Sequence, residues 1–286
     1  EDDLCYAFND IAPQAPVHVL VIPKKHVSGW YDAQGESDET LAHLMRVAAQ
    51  VAKLDEIRQT VVATSQVPLY VNDPVAVTAE GTPVRIVRNA ETNLGDLCAD
   101  AYRALSNADI AFVNGGGIRK QIEAGDITLD DIYSVHPFGN TMCVIRVTGQ
   151  QVLDALEWGA RAVPSENGGF LQVSGLTYEI HTSVASSAEK DENGMFTRVS
   201  GEYRVKNVMV GGQPLELDKT YTLASHNYML LGHGDGYTMF DGCEVLGEDM
   251  MVDNQVLITY ITTTLGGVVG EQYANPYGDG RIVAVE

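Results

Sequence analysis

Asp109-Ile-Ala-Phe-Val-Asn-Gly-Gly-Gly-Ile-Arg119 runs from an apolar strand into three glycines and an arginine. Ile110 to Val113 carries no polar alternation, the pattern of a strand buried on both faces. Glycines at its end let backbone N–H groups approach a ligand with no Cβ in the way, and a nest of such donors suits an anion. Gly116 is the middle glycine of that turn. Arg119 adds a planar fork that matches two phosphate oxygens at once. A plain strand-to-loop turn with a surface arginine fits the same residues, because a lone glycine cluster is a weak motif.

Working outward, Arg85 and Arg88 follow Pro83. At period two a strand sends these arginines to opposite faces, so only one shares a ligand with Arg119. Arg88 is the better candidate, being closer to the Asn93-Leu-Gly95 turn that begins the next helix; a solvated edge-strand arginine is the competing reading. Downstream, Phe138 lies in Pro137-Phe-Gly-Asn140, and Tyr228 follows Asn227 before Gly232. Two rings in glycine-flanked loops can sandwich a base, a contact worth ~1–3 kcal/mol per stacked base; anchoring the loop to the core is the commoner fate of a Phe. Asp235, between Gly234 and Gly236, suits two ribose hydroxyls or, as a turn aspartate, its own backbone. Asn114 and Asn140 supply amide groups to a ligand or tie their loops together. His226 and His233 flank the same loops within reach of a phosphate.

Around these loops the pattern is one continuous mixed domain. It reads as a helix at Leu94 to Ala104, the strand Ile110 to Val113, a strand Cys143 to Val147 and a helix at Gln150 to Ala162. Strands near Leu176 to His181, Tyr203 to Val210 and Tyr221 to Ala224 follow, then a last helix at Asp253 to Thr264. Strand-like Leu69 to Val71 precedes a turn at Asn72-Asp-Pro74, and Ser186 to Gly194 and Gly267 to Gly280 read as loops. The N-terminal part reads as a hairpin with the strand Val17 to Ile22, then a helix from Glu39 to Leu54 with Ser37 and Asp38 as cap candidates. The composition shifts after Arg58, which divides the chain into residues 1–58 and 59–286.

The 286 residues are 45% hydrophobic and carry a net charge of −21. That acidity excludes a protein that coats nucleic acid, which needs a basic footprint. Any phosphate must be held by a few local arginines, since Lys and Arg total only 18. The four cysteines show no CxxC spacing, so neither zinc nor redox chemistry is indicated, and free thiols are expected. No apolar run approaches the ~20 residues of a membrane span, and the first residues do not read as a signal peptide. The seven histidines show no metal-ligand spacing, and no Gly-x-Ser-x-Gly elbow or P-loop is present. No complete catalytic apparatus, and no catalytic or metal-binding residue, is identified.

Asn93-Leu-Gly95, Asn114-Gly-Gly-Gly-Ile-Arg119, Pro137-Phe-Gly-Asn140 and Gly234-Asp-Gly-Tyr237 occur in an order and spacing similar to the C-terminal, substrate-binding domain of the 5′-nucleotidase family. The resemblance runs from about Thr60 to the C-terminus. It implies an α+β fold of layered α/β/β/α type and a nucleoside 5′-phosphate or related nucleotide as ligand. By it, Arg88 and Arg119 bind phosphate, Phe138 and Tyr228 stack on the base, and Asp235 binds ribose. Asn114, Gly116 and Asn140 complete the pocket. The family more often has Phe at position 228, and the loop from there to Asp235 is one residue longer than the resemblance implies. The family's divalent metals sit in an N-terminal metallophosphatase domain whose Asp-x-His and Gly-Asn-His-Asp/Glu motifs this chain lacks. No cofactor is therefore expected within the chain itself, and binding without efficient turnover is expected unless that domain is supplied.

Ala7-Phe-Asn-Asp-Ile-Ala-Pro-Gln-Ala-Pro-Val-His-Val-Leu-Val-Ile-Pro-Lys-Lys-His26 resembles the first half of a histidine-triad nucleotide-binding protein. That resemblance places Phe8, Asp10 and Ile11 in a nucleoside pocket, with Asp10 on ribose. The His-x-His-x-His nucleophile segment is missing, and a half-domain this small is expected to pack on the larger domain or pair as a homodimer. The first resemblance implies an exported location, extracellular, cell-surface or periplasmic; the second implies the cytosol. Two other functions compete with nucleotide recognition by a phosphohydrolase-type domain. One is a remnant histidine-triad hydrolase or transferase; the other is a non-catalytic binding or scaffold protein.

Overall fold

The computed structural model describes residues 3–9, 19–25 and 38–286, in two units, Glu1–Thr60 and Val61–Glu286. In the first, Cys5–Asn9 (β1) pairs antiparallel with Val19–Pro23 (β2), in register Cys5↔Pro23 and Asn9↔Val19. A helix covers Asp38–Arg58 (α1), one turn longer than the hydrophobic pattern implied. Phe8 is on β1 and 45% exposed. Asp10, Ile11, His18, His26 and the cap candidate Ser37 lie outside the described residues. Among the described residues no helix is long and apolar enough to cross a membrane.

The second unit begins with Val61–Ser65 (β3) and a hairpin of Asn72–Val77 (β4) and Pro83–Arg85 (β5). The expected turn at Asn72-Asp-Pro74 is thus the start of a strand. Pro74 is tolerated because β4 pairs on one side only, and Asp73 Oδ1 accepts from the N–H groups of Val75 and Ala76. Leu69 to Val71, expected as a strand, is reduced to a single bridge from Leu69 to Ile122. Asn93–Ser106 (α2) follows, with Leu94, Leu97, Cys98, Ala101 and Tyr102 buried at helical spacing. Thr92 Oγ1 caps it by accepting from Gly95 N at 3.0 Å, and Asn107 ends it in the left-handed region.

Ile110–Asn114 (β6) is buried at every residue. Gly125–Thr128 (β7) and Leu129–Val135 (α3) lead to Met142–Thr148 (β8) and Gly149–Ala160 (α4). Thr148 and Gln151 form a capping box at the start of α4. Then come Leu171–Ser174 (β9), Leu176–His181 (β10), Ala188–Lys190 (β11) and Phe196–Val199 (β12). The last two form a hairpin whose first strand and turn fall in the expected 186–194 loop. Val205–Val210 (β13), Gln213–Pro214 (β14), Thr220–His226 (β15), the short helix Asn227–Leu230 (α5) and Glu244–Gly247 (β16) follow. Asp253–Thr259 (α6), Val268–Val269 (β17) and Ile282–Val285 (β18) complete the chain. The helix expected over 253–264 changes to π-type bonding from Tyr260. There the hydroxyls of Thr262 and Thr263 bond back to the carbonyls of Ile258 and Thr259, which loosens the α ladder.

A five-stranded sheet, β16-β8-β15-β6-β9, organises the unit, beside a four-stranded sheet, β14-β13-β10-β18. Successive residues of β6 serve opposite faces. Ala111 and Val113 join the core formed with α2 and α6, and Ile110 and Phe112 join the one formed with α4 and the second sheet. Covering both faces explains the unbroken apolar run. The architecture is a mixed α/β fold.

Candidate functional site

Strand direction assembles the site. β6 and β15 are parallel, whereas β9 runs antiparallel to β6 and β8 antiparallel to β15. Asn114, ending β6, is therefore opposite Leu171, which begins β9, and His226, ending β15, is opposite Met142, which begins β8. The loops leaving β6 and β15 and those entering β8 and β9 all reach one edge of the sheet. Ligands in open α/β sheets bind at the carboxyl ends of parallel strands, and a cleft of about 490 Å³ opens there. Its lining includes all eight of Arg88, Asn114, Gly116, Arg119, Phe138, Asn140, Tyr228 and Asp235. Gly117 and Gly168, which the sequence did not single out, also line it.

The glycine turn does not act as an anion nest. Gly115 N donates to Phe170 O and Gly116 N to Gly168 O, both at 2.7 Å, while Arg119 N donates to Val135 O. The glycines are required for close packing instead. A Cβ on Gly115 would stand 2.1 Å from Val87 O, and one on Gly116 would stand 2.9 Å from Gly168 O. With the first two glycine N–H groups committed within the protein, side chains are the main candidates to hold an anion here.

Three guanidinium groups gather at that end. Arg88 lies in the turn after β5, so the period-two argument that separated it from Arg85 does not apply; Arg85 instead lines a neighbouring cavity with Arg119 and pairs with Glu166 at 3.3 Å. Arg88 Nε is buried without a hydrogen-bond partner. Burial depresses the basicity of Arg88, the charges of Arg85 and Arg119 depress it further, and Glu166 and Asp235 partly offset them. A buried, unsatisfied donor beside like charges is a strong demand for an anion. Arg119 donates to Gly116 O at 3.2 Å and stands 5.8 Å from the Phe138 ring centre.

Phe138 is 60% exposed although it lines a cleft, and Tyr228 is 44% exposed. Neither ring anchors its loop in the core. Tyr228 lies flat enough on the following loop that a Cβ on Gly234 would come within 2.2 Å of its ring. Its hydroxyl faces Asp235, 3.4 Å from Oδ1 and 3.3 Å from the Asp235 N. Asn140 is held from behind, its N–H donating to Asp253 Oδ2 at 3.1 Å.

Asp235 adopts a left-handed conformation at φ 54°, a position that Asp tolerates better than most residues. Asn114 Nδ2 donates to its Oδ2 at 2.6 Å, and Trp158 Nε1 donates to its carbonyl at 2.9 Å. His226 does not reach a phosphate position. It is 3% exposed behind Asn114, with Nε2 2.9 Å from Asn114 Oδ1, and burial drives its pKa down to about 3, so the ring is neutral. His233 is tied to Asp241 and is not part of the cleft lining. Trp158 is the supporting residue that sequence reasoning missed, and His226, expected at a phosphate, supports Asn114 instead.

Among the described residues, Glu91, Asp96 and Asp279 bring carboxylate oxygens within 4.8 Å of one another. Glu91 accepts from Gly280 N and Ile282 N, and Arg281 supplies a cation beside Asp96, Asp100 and Asp279. The cluster fastens the C-terminal strand to the start of α2. Cys98, Cys143 and Cys243 are free thiols.

Residues 61–242 match the family model of the 5′-nucleotidase C-terminal domain, and residues 1–96 match that of the HIT domain. The chain is 36% identical over 203 residues to a trifunctional nucleotide phosphoesterase of Bacillus subtilis, covering 70% of this chain and 13% of that protein. It is 35% identical over 176 residues to a 5′-nucleotidase of Vibrio parahaemolyticus, covering 62% and 28%. The crystal structure of a 5′-nucleotidase precursor from Thermus thermophilus superposes with a TM-score of 0.66 at 28% identity, over 94% of this chain and 46% of that one. The chain thus spans less than a third of the length of these curated relatives. With more than half of its residues matched by one family model, the chain belongs to the 5′-nucleotidase C-terminal domain family.

Proposed function

We propose that the cleft binds a nucleoside 5′-phosphate, with Arg88 and Arg119 on the phosphate, Phe138 and Tyr228 on the two faces of the base, and Asp235 accepting from the ribose hydroxyls. Asn114 and Asn140 supply supporting hydrogen bonds, and Gly116 gives clearance. The observation that carries this reading is the unpartnered, buried Nε of Arg88 in the same cleft as two exposed rings and a carboxylate. Each demands a different part of one ligand: an anion, an aromatic plane and a pair of hydroxyls.

The reading assigns recognition to these residues and not bond cleavage. The chain has none of the metal-ligand motifs that hydrolysis by this family would require, and divalent metals belong with a metallophosphatase domain. Isothermal titration of AMP tests the proposal. Binding that falls at least tenfold in Arg119→Ala is expected, as for loss of a charge-assisted contact worth ~1.5–3 kcal/mol. A wild-type protein that gives no heat with AMP or adenosine ends it.

A second reading rests on the HIT-domain match over residues 1–96. It takes the N-terminal unit as a nucleoside-binding remnant in which Phe8, with Asp10 and Ile11, contacts the base and sugar. Turnover of an adenosine phosphoramidate that disappears in His18→Ala would favour it over the first reading.

A further inference from the structure

Asp235 sets the direction of a hydrogen-bond chain that begins in the core. A carboxylate only accepts, so the Asn114 atom 2.6 Å from Asp235 Oδ2 is the donating Nδ2. Asn114 Oδ1 then faces inward, with His226 Nε2 at 2.9 Å. An amide oxygen requires a donor there, so the imidazole proton is on Nε2. Nδ1, buried with no partner, is the bare nitrogen. The other tautomer would set the Nε2 lone pair against that of the Asn114 amide oxygen.

The surroundings fit this chain closely. A Cβ on Gly117 would come within 2.7 Å of Asn114 Oδ1 and 4.0 Å of His226 Nε2, so glycine there leaves the amide its space. Tyr102 meets the imidazole edge-on at 6.4 Å, and the Tyr228 ring lies 5.9 Å away. Both strands that carry the pair end at the same sheet edge. With Oδ2 bonded to Asn114 and Oδ1 met by the Tyr228 hydroxyl at a long 3.4 Å, Asp235 offers its remaining lone pairs to the cleft.

We propose that His226 is a positioning residue that makes the cleft selective for a vicinal diol: by holding the Asn114 amide in one orientation, it keeps Asp235 turned to accept from 2′- and 3′-hydroxyls. The proposal rests on the nucleotide reading above. Without the Nε2–H donor, Asn114 Oδ1 is left buried with no donor, the amide loses its inner anchor, and the Asp235 carboxylate that it holds is no longer fixed in one place. The result is a loss of discrimination between ribose and a sugar without hydroxyls.

Two measurements on the full chain test it. Nitrogen-15 NMR of the unliganded protein reads the tautomer, and His226 is expected to carry its proton on Nε2; a proton on Nδ1 overturns the relay whatever the ligand. Titration with AMP and 2′,3′-dideoxy-AMP then reads its consequence in His226→Phe, which keeps a ring in the core, and in His226→Gln, whose amide restores an N–H. The wild-type preference for AMP is expected to fall about tenfold in the Phe variant and to stay within about twofold in the Gln variant. If the Phe variant weakens both ligands equally, or leaves the ratio unmoved, the role is structural and the proposal fails alone. If the wild-type protein binds neither compound, the nucleotide reading and the selectivity fall together.

Discussion

The Trp158 indole joins the Asp235 backbone to Arg161: its Nε1 donates to the Asp235 carbonyl at 2.9 Å, while the Arg161 guanidinium covers its ring at 3.6 Å. Arg161 also donates to Trp158 O and to Asn167 Oδ1, and Asn167 precedes Gly168 of the cleft. One buried side chain therefore braces both the Asp235 loop and the loop entering β9. Trp158→Phe keeps most of the packing but removes the donor. We expect it to cost ~1–3 kcal/mol of stability and to weaken AMP more than inorganic phosphate. Thermal denaturation and paired titrations check this.

Gly234 is glycine because of Tyr228. Its φ is not in the left-handed region, so alanine brings no backbone strain, only a Cβ 2.2 Å from the Tyr228 ring. The exposed ring must swing away. Gly234→Ala is expected to lower nucleotide affinity about fivefold to a hundredfold, the range for a lost stacking contact. Phosphate binding and the melting temperature should hardly change. An unaltered AMP affinity would remove Tyr228 from the base-binding role.

Arg88 is held in the protein against its own electrostatics. Arg88→Ala removes a desolvated charge repelled by Arg85 and Arg119, so the unliganded variant should be as stable as the wild type or more so, by up to ~1 kcal/mol. Its affinity for AMP should nevertheless drop at least tenfold. Loss of both stability and affinity would point to a structural arginine. Denaturant unfolding beside calorimetry separates the two outcomes.

The acidic fastening at the C-terminus titrates in a predictable direction. Burial raises the Asp96 carboxyl to about 9, with Glu91 and Asp279 adding to the effect and Arg281 opposing it. A folded-state pKa above the unfolded 3.8 means that the folded protein holds an extra proton between these limits. The stability it contributes is complete below the lower limit and is lost progressively as pH rises toward about 9. Asp96→Asn mimics the protonated form and should flatten this decline, exceeding the wild type by ~1–3 kcal/mol near the upper limit. His136 and His226, whose pKa values burial lowers to about 4 and 3, act in the opposite sense on the acid side. The wild-type-minus-variant difference in melting temperature across pH isolates Asp96 from them.

What the sequence made legible was the set of loops, for a physical reason. Residues such as Asn114, Phe138 and Asp235 interrupt apolar strands with glycine-flanked polar or exposed aromatic positions, and strands must turn where such residues occur. The partners of those loops were not legible. The N–H groups of Gly115 and Gly116 looked available for an anion, yet their acceptors, Phe170 and Gly168, lie more than fifty residues downstream. Arg88 was separated from Arg85 by an alternation that stops at Arg85, where β5 ends, and was preferred only for its nearness to the Asn93 turn. Trp158 and His226 sit inside regular elements whose patterns mark them as ordinary core, and only the fold shows which polar atom each one serves. The five-stranded order, with one parallel pair among antiparallel neighbours, is equally invisible in local periodicity.

Because strands of opposite direction bring their loops to a single edge, the cleft draws on positions from 88 to 235 and owns no autonomous segment. A ligand bound there engages the loops of β6, β8, β9 and β15 together. Nucleotide should therefore delay melting of the whole span from Val61 onward as one cooperative event. Saturation with AMP would serve as a direct gauge of how much of that span is natively folded.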